Sequence, residues 1–260
     1  MNKSNVKIMD GAEPFFFPAG KTGCLLIHGI SASAQQFRAM GEYLAGRDIT
    51  TLGVLLKGHG TMIEDLHSYT YQDWIDSAEE GLAQLKEHCS SVFCAGLSMG
   101  GIISMRLARL HPEDIKGAVM ICSPYKMRHP KFFFVPLLKH FIKQIPTGPR
   151  AISDPVPEEV KYQDHSVPAA HQLIKLMAAV RKDLPLIRQP VLIFGGRQDW
   201  VVDSRDPGLY YEKIGTEQKE LVWLENSQHV AVLDYDREII YQKTLEFINK
   251  YQDVPRGRGC

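Results

Sequence analysis

The sequence predicts an α/β fold, with a mostly parallel sheet covered by helices on both faces. Three observations carry that reading. Short β-branched or apolar runs alternate with longer stretches of helical period. The 260 residues are enough to hide about 70–75% of the surface exposed on unfolding. The 44% hydrophobic and 23% charged residues are the make-up of a globular chain and exclude a disordered one.

The first clear strand runs from Cys24 to His28 and ends in His28-Gly29. A helix from about Ser33 to Ala45 leads to a second strand near Thr50 to Leu55. Trp74, Ile75, Ala78, Leu82 and Leu85 recur at helical spacing between Tyr71 and His88, so one face of that helix packs on the sheet. Ser91 to Leu97 is its partner strand. Met99 to Leu110 reads as a helix apolar nearly all round, the mark of burial, and Lys116 to Cys122 as the next strand.

From Ser123 to about Arg188 the alternation breaks. Pro124, Pro130, Pro136, Pro146, Pro149, Pro155, Pro157 and Pro168 interrupt it, and Phe132-Phe133-Phe134 forms a local apolar cluster. Leu173, Ile174, Met177 and Val180 mark one amphipathic helix near the end of this insertion. The pattern resumes with a strand at Val191 to Phe194, a helix around Arg205 to Ile214, a strand at Glu220 to Leu224 and a helix from about Arg237 to Tyr251. The expected organisation is a core from residues 1–122 and 189–251, an insertion at 123–188 and a flexible tail at 252–260.

Thirty Lys and Arg balance thirty Asp and Glu without a long basic stripe, which disfavours a nucleic-acid partner and suits an uncharged or weakly polar ligand. Cys24, Cys89, Cys94, Cys122 and Cys260 are odd in number and scattered, so they read as reduced thiols and not as a zinc site or disulfide framework. No signal-like apolar segment and no run of about eighteen apolar residues appears, and the expected location is cytoplasmic.

Gly96-Leu97-Ser98-Met99-Gly100-Gly101 fits Gly-x-Ser-x-Gly, and it falls between a strand and a helix, where a nucleophile elbow must lie. Small neighbours let strand and helix approach closely while the serine takes a strained, left-handed backbone that pushes its hydroxyl into the open. Asp199 follows a later strand and His229 the last one, which completes the order Ser, Asp, His at strand C-terminal ends. His229 is then the base for Ser98, and Asp199 orients its imidazole. Asp203, Asp206, Asp234 and Asp236 are nearby acids with capping or solvated roles as the alternative. The backbone N–H groups of Met99, after the nucleophile, and of Ile30, in the loop after the first strand, are the expected oxyanion donors. His28 and Gly29 read as a tight structural turn.

These stretches, together with Leu25-Leu26-Ile27, Lys57-Gly58-His59-Gly60-Thr61, Asp73-Trp74, Asp199-x-x-Val202, Ser227-x-His229 and Asp234, make the chain resemble the α/β-hydrolase superfamily along nearly its whole length. The similarity is to the bacterial carboxylesterase and monoacylglycerol lipase group. It implies a triad at Ser98, Asp199 and His229 and donors at Ile30 and Met99. The family usually has Phe where Ile30 stands; because the donor is main-chain, the change is expected to reshape the acyl pocket. The resemblance further implies that the insertion is a small helical cap and that Glu159 helps bind a glycerol head, with a solvated charge pair as the alternative. Phe132 to Val135 would line an acyl tunnel or give transient contact with a lipid surface, a packing cluster being the alternative. The implied reaction is hydrolysis of monoacylglycerols or short- to medium-chain esters through an acyl-enzyme, without metal or organic cofactor. A non-catalytic ligand-binding homologue, or an acyltransferase or perhydrolase using the same triad, stays as the alternative. Ser98 at the elbow excludes dehalogenase and epoxide hydrolase chemistry, which need Asp there. Oligomeric state is not legible; zero formal charge permits self-association.

Overall fold

The structure, a computed structural model, describes residues 7–146 and 159–253. In chain order it contains β1 (Phe15–Phe17), β2 (Thr22–Ile27), a 3-10 turn at Ala34–Phe37 that runs into α1 (Arg38–Ala45), and β3 (Ile49–Val54). Then come α2 (Ile63–Leu66), α3 (Tyr71–His88), β4 (Ser91–Leu97), α4 (Met99–Leu110) and β5 (Ile115–Ile121). A 3-10 turn at Pro130–Phe134, α5 (Val135–Leu138), β6 (Gln144–Pro146), β7 (Asp164–Ser166) and α6 (Val167–Asp183) follow. The chain ends with β8 (Val191–Gly196), α7 (Asp206–Lys213), β9 (Lys219–Leu224) and α8 (Arg237–Tyr251).

Seven strands form one sheet in the order β1-β3-β2-β4-β5-β8-β9. Only β1 is antiparallel to its neighbour. Central strands such as β3 are buried at every residue, because helices cover both faces. The period-two alternation of β2 divides the core. Leu25 and Ile27 join Trp74, Ile75, Ile102 and Leu176 on one face, while Cys24 and Leu26 join Phe37, Met40, Ile240 and Phe247 on the other. The helix expected near the end of the insertion is α6, whose Leu173, Leu176, Met177 and Val180 pack into the same cluster as α4.

Helix α3 starts where its sequence asks it to. Thr70 and Asp73 form a capping box, with the Thr70 N–H donating to Asp73 at 2.8 Å, which accounts for the acid in Asp73-Trp74. Trp74 is buried and meets the His59 ring edge-on at 5.8 Å.

Five of these elements are absent from the sequence reading: β1, α2 and, in the insertion, α5, β6 and β7. β1 is a three-residue edge strand between Pro14 and Pro18, too short to show a period and at the place in a sheet where proline is tolerated. α2 is a single turn. The helix expected at Ser33–Ala45 opens as a 3-10 turn before becoming α1. The expected tail lies outside the described residues from 254 onward, as do residues 147–158 of the insertion, which include Pro149, Pro155, Pro157 and Glu158. No described helix is long and apolar enough to cross a membrane.

Candidate active site

Ser98 sits between β4 and α4 with φ 55° and ψ −115°, the left-handed backbone expected of it. Holding a non-glycine residue there costs about 1–3 kcal/mol, and the surroundings supply the restraint. The Ser98 N–H donates to the Ile121 carbonyl at 2.8 Å, and the Ser123 hydroxyl donates to the Ser98 carbonyl at 2.9 Å. A Cβ on Gly96 would lie 2.1 Å from the Gly100 carbonyl carbon, and one on Gly100 would lie 1.9 Å from the Ile27 carbonyl oxygen. Only glycine at both lets β2, β4 and α4 meet. The Ser98 hydroxyl makes no capping bond to α4, so it stays available for chemistry.

Asp199 and His229 are brought together at the C-terminal ends of β8 and β9. The His229 Nδ1–H donates to Asp199 Oδ2 at 2.9 Å. That bond fixes the tautomer and leaves Nε2 as the basic nitrogen. The other carboxylate oxygen, Oδ1, accepts the N–H groups of Val201 at 2.8 Å and Val202 at 3.0 Å, which explains Asp199-x-x-Val202. The Asp199 side chain is 2% exposed, whereas that of His229 is 17% exposed. The Cys122 thiol lies beside the Asp199 carboxylate. Burial first, and then the Asp199 charge, push this thiol well above its ordinary pKa.

The neighbouring acids hold loops. Asp236 accepts the N–H groups of Asn226 and Ser227, each at 2.8 Å, and its own N–H donates to Ser227 Oγ at 2.7 Å. Although burial opposes it, these hydrogen bonds keep its carboxyl below the usual range. Asp234 accepts the Gln228 N–H at 2.7 Å. Together they set the turn that carries His229. Asp206 departs from the solvated role: it is fully buried, pairs with Arg128 and accepts the Tyr125 N–H at 2.9 Å. Asp203 pairs with Arg205 and Arg128.

On the opposite side of Ser98 lies the loop after β2. A Cβ on Gly29 would be 3.7 Å from Ser98 Cβ, so the loop and the serine are in contact. His28 is fully buried; its Nδ1–H donates to the Gly29 carbonyl at 2.8 Å, and its Nε2 accepts the Leu56 N–H at 3.1 Å. Burial depresses it to about 4, so it is neutral at pH 7. A trans peptide points its C=O and N–H in opposite directions. Holding the Gly29 carbonyl therefore aims the Ile30 N–H. Met99 opens α4, so its N–H has no intrahelical acceptor.

Glu159 is nearly buried, its side chain 7% exposed. It accepts a hydrogen bond from Gln36 Nε2 and pairs with Lys161. Among the described residues no cluster of three or more His, Cys, Asp or Glu could hold a metal. Cys24, Cys89, Cys94 and Cys122 are free and buried; Cys260 lies outside the described residues. The partnership of Cys122 with Asp199, and of Gln36 with the loop after β2, escaped the sequence reading. For Cys122 the available signal is its place at the C-terminal end of β5.

A sheet that delivers a serine, an acid and a histidine to one edge in that chain order defines an α/β hydrolase. Residues 19–236 match the family model described as serine aminopeptidase, S33, and the chain belongs to that family. It is an enzyme of the α/β-hydrolase class, and two relatives that it matches along nearly their whole length are named as ester hydrolases. A thermostable monoacylglycerol lipase of Bacillus sp. (strain H-257) is 35% identical over 251 residues, covering 94% of this chain and 97% of the relative. A carboxylesterase of Bacillus subtilis (strain 168) is 30% identical, covering 92% and 96%. A solved structure described under two metagenome-derived lipolytic enzymes, LipS and LipT, superposes with a TM-score of 0.89 at 34% identity, covering 94% of this chain and all of that one.

Proposed function

We propose that the chain is a serine hydrolase that cleaves carboxylic esters, monoacylglycerols or short- to medium-chain esters, through an acyl-enzyme. The observation that carries the reading is the 2.9 Å bond from His229 Nδ1 to the buried Asp199, at the sheet edge that also presents the strained Ser98. With Nδ1–H held by Asp199, Nε2 takes the Ser98 proton as Oγ attacks the ester carbonyl. The tetrahedral oxyanion forms against the N–H groups of Ile30 and Met99. His229 returns the proton to the departing alcohol, and a water repeats the cycle on the acyl-enzyme. No step calls for a metal or an organic cofactor. The names of the two Bacillus relatives support ester over amide cleavage within a family described by its aminopeptidases.

In the same reading residues 123–188 form a cap over a core of residues 1–122 and 189–251, in a cytoplasmic enzyme. Part of that cap suits a lipid surface. From Pro124 to Pro146 the chain carries Lys126, Lys131, Lys139 and Lys143, besides Arg128, whose charge is met by Asp203 and Asp206, and no Asp or Glu, although the whole chain has zero net charge. Phe133 and Phe141 are 84% and 79% exposed there, beside exposed Phe134 and Leu137. Lysines among outward phenylalanines fit transient contact with an anionic bilayer, where a lipid substrate would be met.

The test is labelling with a fluorophosphonate, with the adduct located by peptide mass spectrometry, alongside hydrolysis rates over acyl lengths for monoacylglycerols, triacylglycerols and alkyl esters. The expected adduct is on Ser98, with turnover of monoacylglycerols or short esters. An inert Ser98 would return the chain to a ligand-binding role, and a rate rising with added alcohol or peroxide would indicate acyl transfer or perhydrolysis.

A further inference from the structure

The segment Glu159–Tyr162 is tied to the loop after β2 by a chain of hydrogen bonds that ends next to the proposed oxyanion donor. The Gly29 N–H donates to Gln36 Oε1 at 2.9 Å, and Gln36 Nε2 donates to Glu159 Oε1. The Glu159 carboxylate is in turn paired with Lys161. Three further bonds run in parallel. The Ser33 hydroxyl donates to the Val160 carbonyl at 2.9 Å, the Val160 N–H to Gln35 Oε1 at 3.3 Å, and the Tyr162 N–H to the Ser31 carbonyl at 2.9 Å. Ser31 itself has φ 65°, a left-handed backbone that needs such restraint. At its far end the Tyr162 hydroxyl donates to the Gly58 carbonyl at 2.8 Å and accepts the Thr61 N–H at 3.1 Å, so one short strap spans both loops.

We propose that Glu159 is a positioning residue: through Gln36 it holds the His28–Gly29 peptide, which restrains Gly29 and with it the next peptide, and so couples the insertion to the oxyanion hole. The inference rests on the ester-hydrolase reading above and replaces a glycerol-binding role for Glu159. The physical reason is the amide of Gln36. A buried Gln can present its oxygen to Gly29 or its nitrogen, and the two ends of the amide are sterically alike. A carboxylate beside Nε2 admits only a donor, which forces Oε1 toward the Gly29 N–H. His28 holds the carbonyl of Gly29 and Gln36 its N–H. The two bonds fix the peptides on either side of Gly29, so Gly29 keeps one φ, ψ pair and the Ile30 N–H one direction. Because this acts on the common oxyanion, its loss should fall on kcat and be the same for every ester, whatever the alcohol.

The experiment is steady-state kinetics of the full chain with p-nitrophenyl acetate and 1-monolauroylglycerol, each rate normalised to folded protein from a thermal melt. The variants are Glu159→Ala, Glu159→Gln, Gln36→Leu and the double variant Gln36→Leu/Glu159→Ala. Loss of a whole oxyanion donor costs about 10²–10³ in kcat, so a misaimed one should cost about tenfold or more. The expected result is that Glu159→Ala and Gln36→Leu each lower kcat by about tenfold or more on both substrates, with KM within about twofold. Glu159→Gln, whose amide oxygen can still accept from Gln36, should recover most of kcat. The double variant should be no slower than Gln36→Leu alone, since residues acting in series do not add. Multiplying losses in the double variant would overturn the proposal. So would a raised KM for monolauroylglycerol alone in Glu159→Ala, which would mark a glycerol ligand. These outcomes presuppose an active parent; a parent that turns over neither ester would overturn the ester reading and this inference with it.

Discussion

Around Asp199 and His229 the polar groups are hydrogen-bonded: both Asp199 oxygens are occupied, and Asp234 and Asp236 are spent on the turn that carries His229. In the stretch Pro124–Pro146 the reverse holds, with phenylalanines outward, lysines beside them and not one carboxylate. The first region has had its conformational choices removed in advance, as proton transfer over short distances requires. The second keeps apolar area exposed, as the proposed contact with a lipid surface would require. On the proposed reading the same chain separates chemistry, built on strand ends, from contact, built on short elements between prolines.

The comparison can be broken first at the serine. Ser98→Ala should lower kcat on p-nitrophenyl acetate by about 10⁵–10⁶ while leaving the thermal midpoint within a few degrees, because the φ of 55° is already held by backbone bonds. Residual activity near the parent level would remove Ser98 from the mechanism. Next in size is Asp199→Asn, which keeps the shape but offers His229 the wrong hydrogen-bonding partner; a loss of about 10⁴ in kcat is expected, read in the same assay. A tenfold loss or less would mean that another acid carries the role.

The contrast in burial predicts different responses to acid. His28 is held at about 4 against 6.5 for an unhindered imidazole, and His59 is lowered in the same direction by burial. Between these values the unfolded chain binds a proton that the native chain refuses, so stability is full above pH 6.5 and falls as the pH drops toward 4. His28 alone should cost about 2 kcal/mol between pH 6.5 and pH 5; urea titrations at the two pH values measure it, and equal midpoints would refute it. On the insertion, Lys139→Gln with Lys143→Gln should weaken binding to phosphatidylglycerol vesicles about 30-fold, at about 1 kcal/mol per lysine, with sedimentation as the readout. Unchanged binding, or equal binding to neutral phosphatidylcholine vesicles, would sink the anionic-surface reading.

Much of this architecture is legible in the sequence. Helix α3, β4 and α4 fall where periodicity put them, since each spans several turns or a fully buried run whose pattern cannot be satisfied another way. The elbow was legible because Gly96 and Gly100 are demanded by backbone contacts, and chain order singled out Asp199 and His229. β1 escaped because three residues between prolines have no period. Asp206 was read as capping or solvated, yet it is a buried partner of Arg128, a distinction that depends on a segment 78 residues away.

The sequence by itself determined what is local: the alternation that makes a parallel sheet, the glycines that allow a left-handed serine, the caps that start helices. The tertiary structure alone decided which side chains meet across long separations, such as Cys122 with Asp199 and Glu159 with Gln36. The physical reason is that local pattern reports which face of an element is apolar, whereas a hydrogen bond depends on the relative placement of two elements to a few tenths of an ångström, and only the packed core sets that.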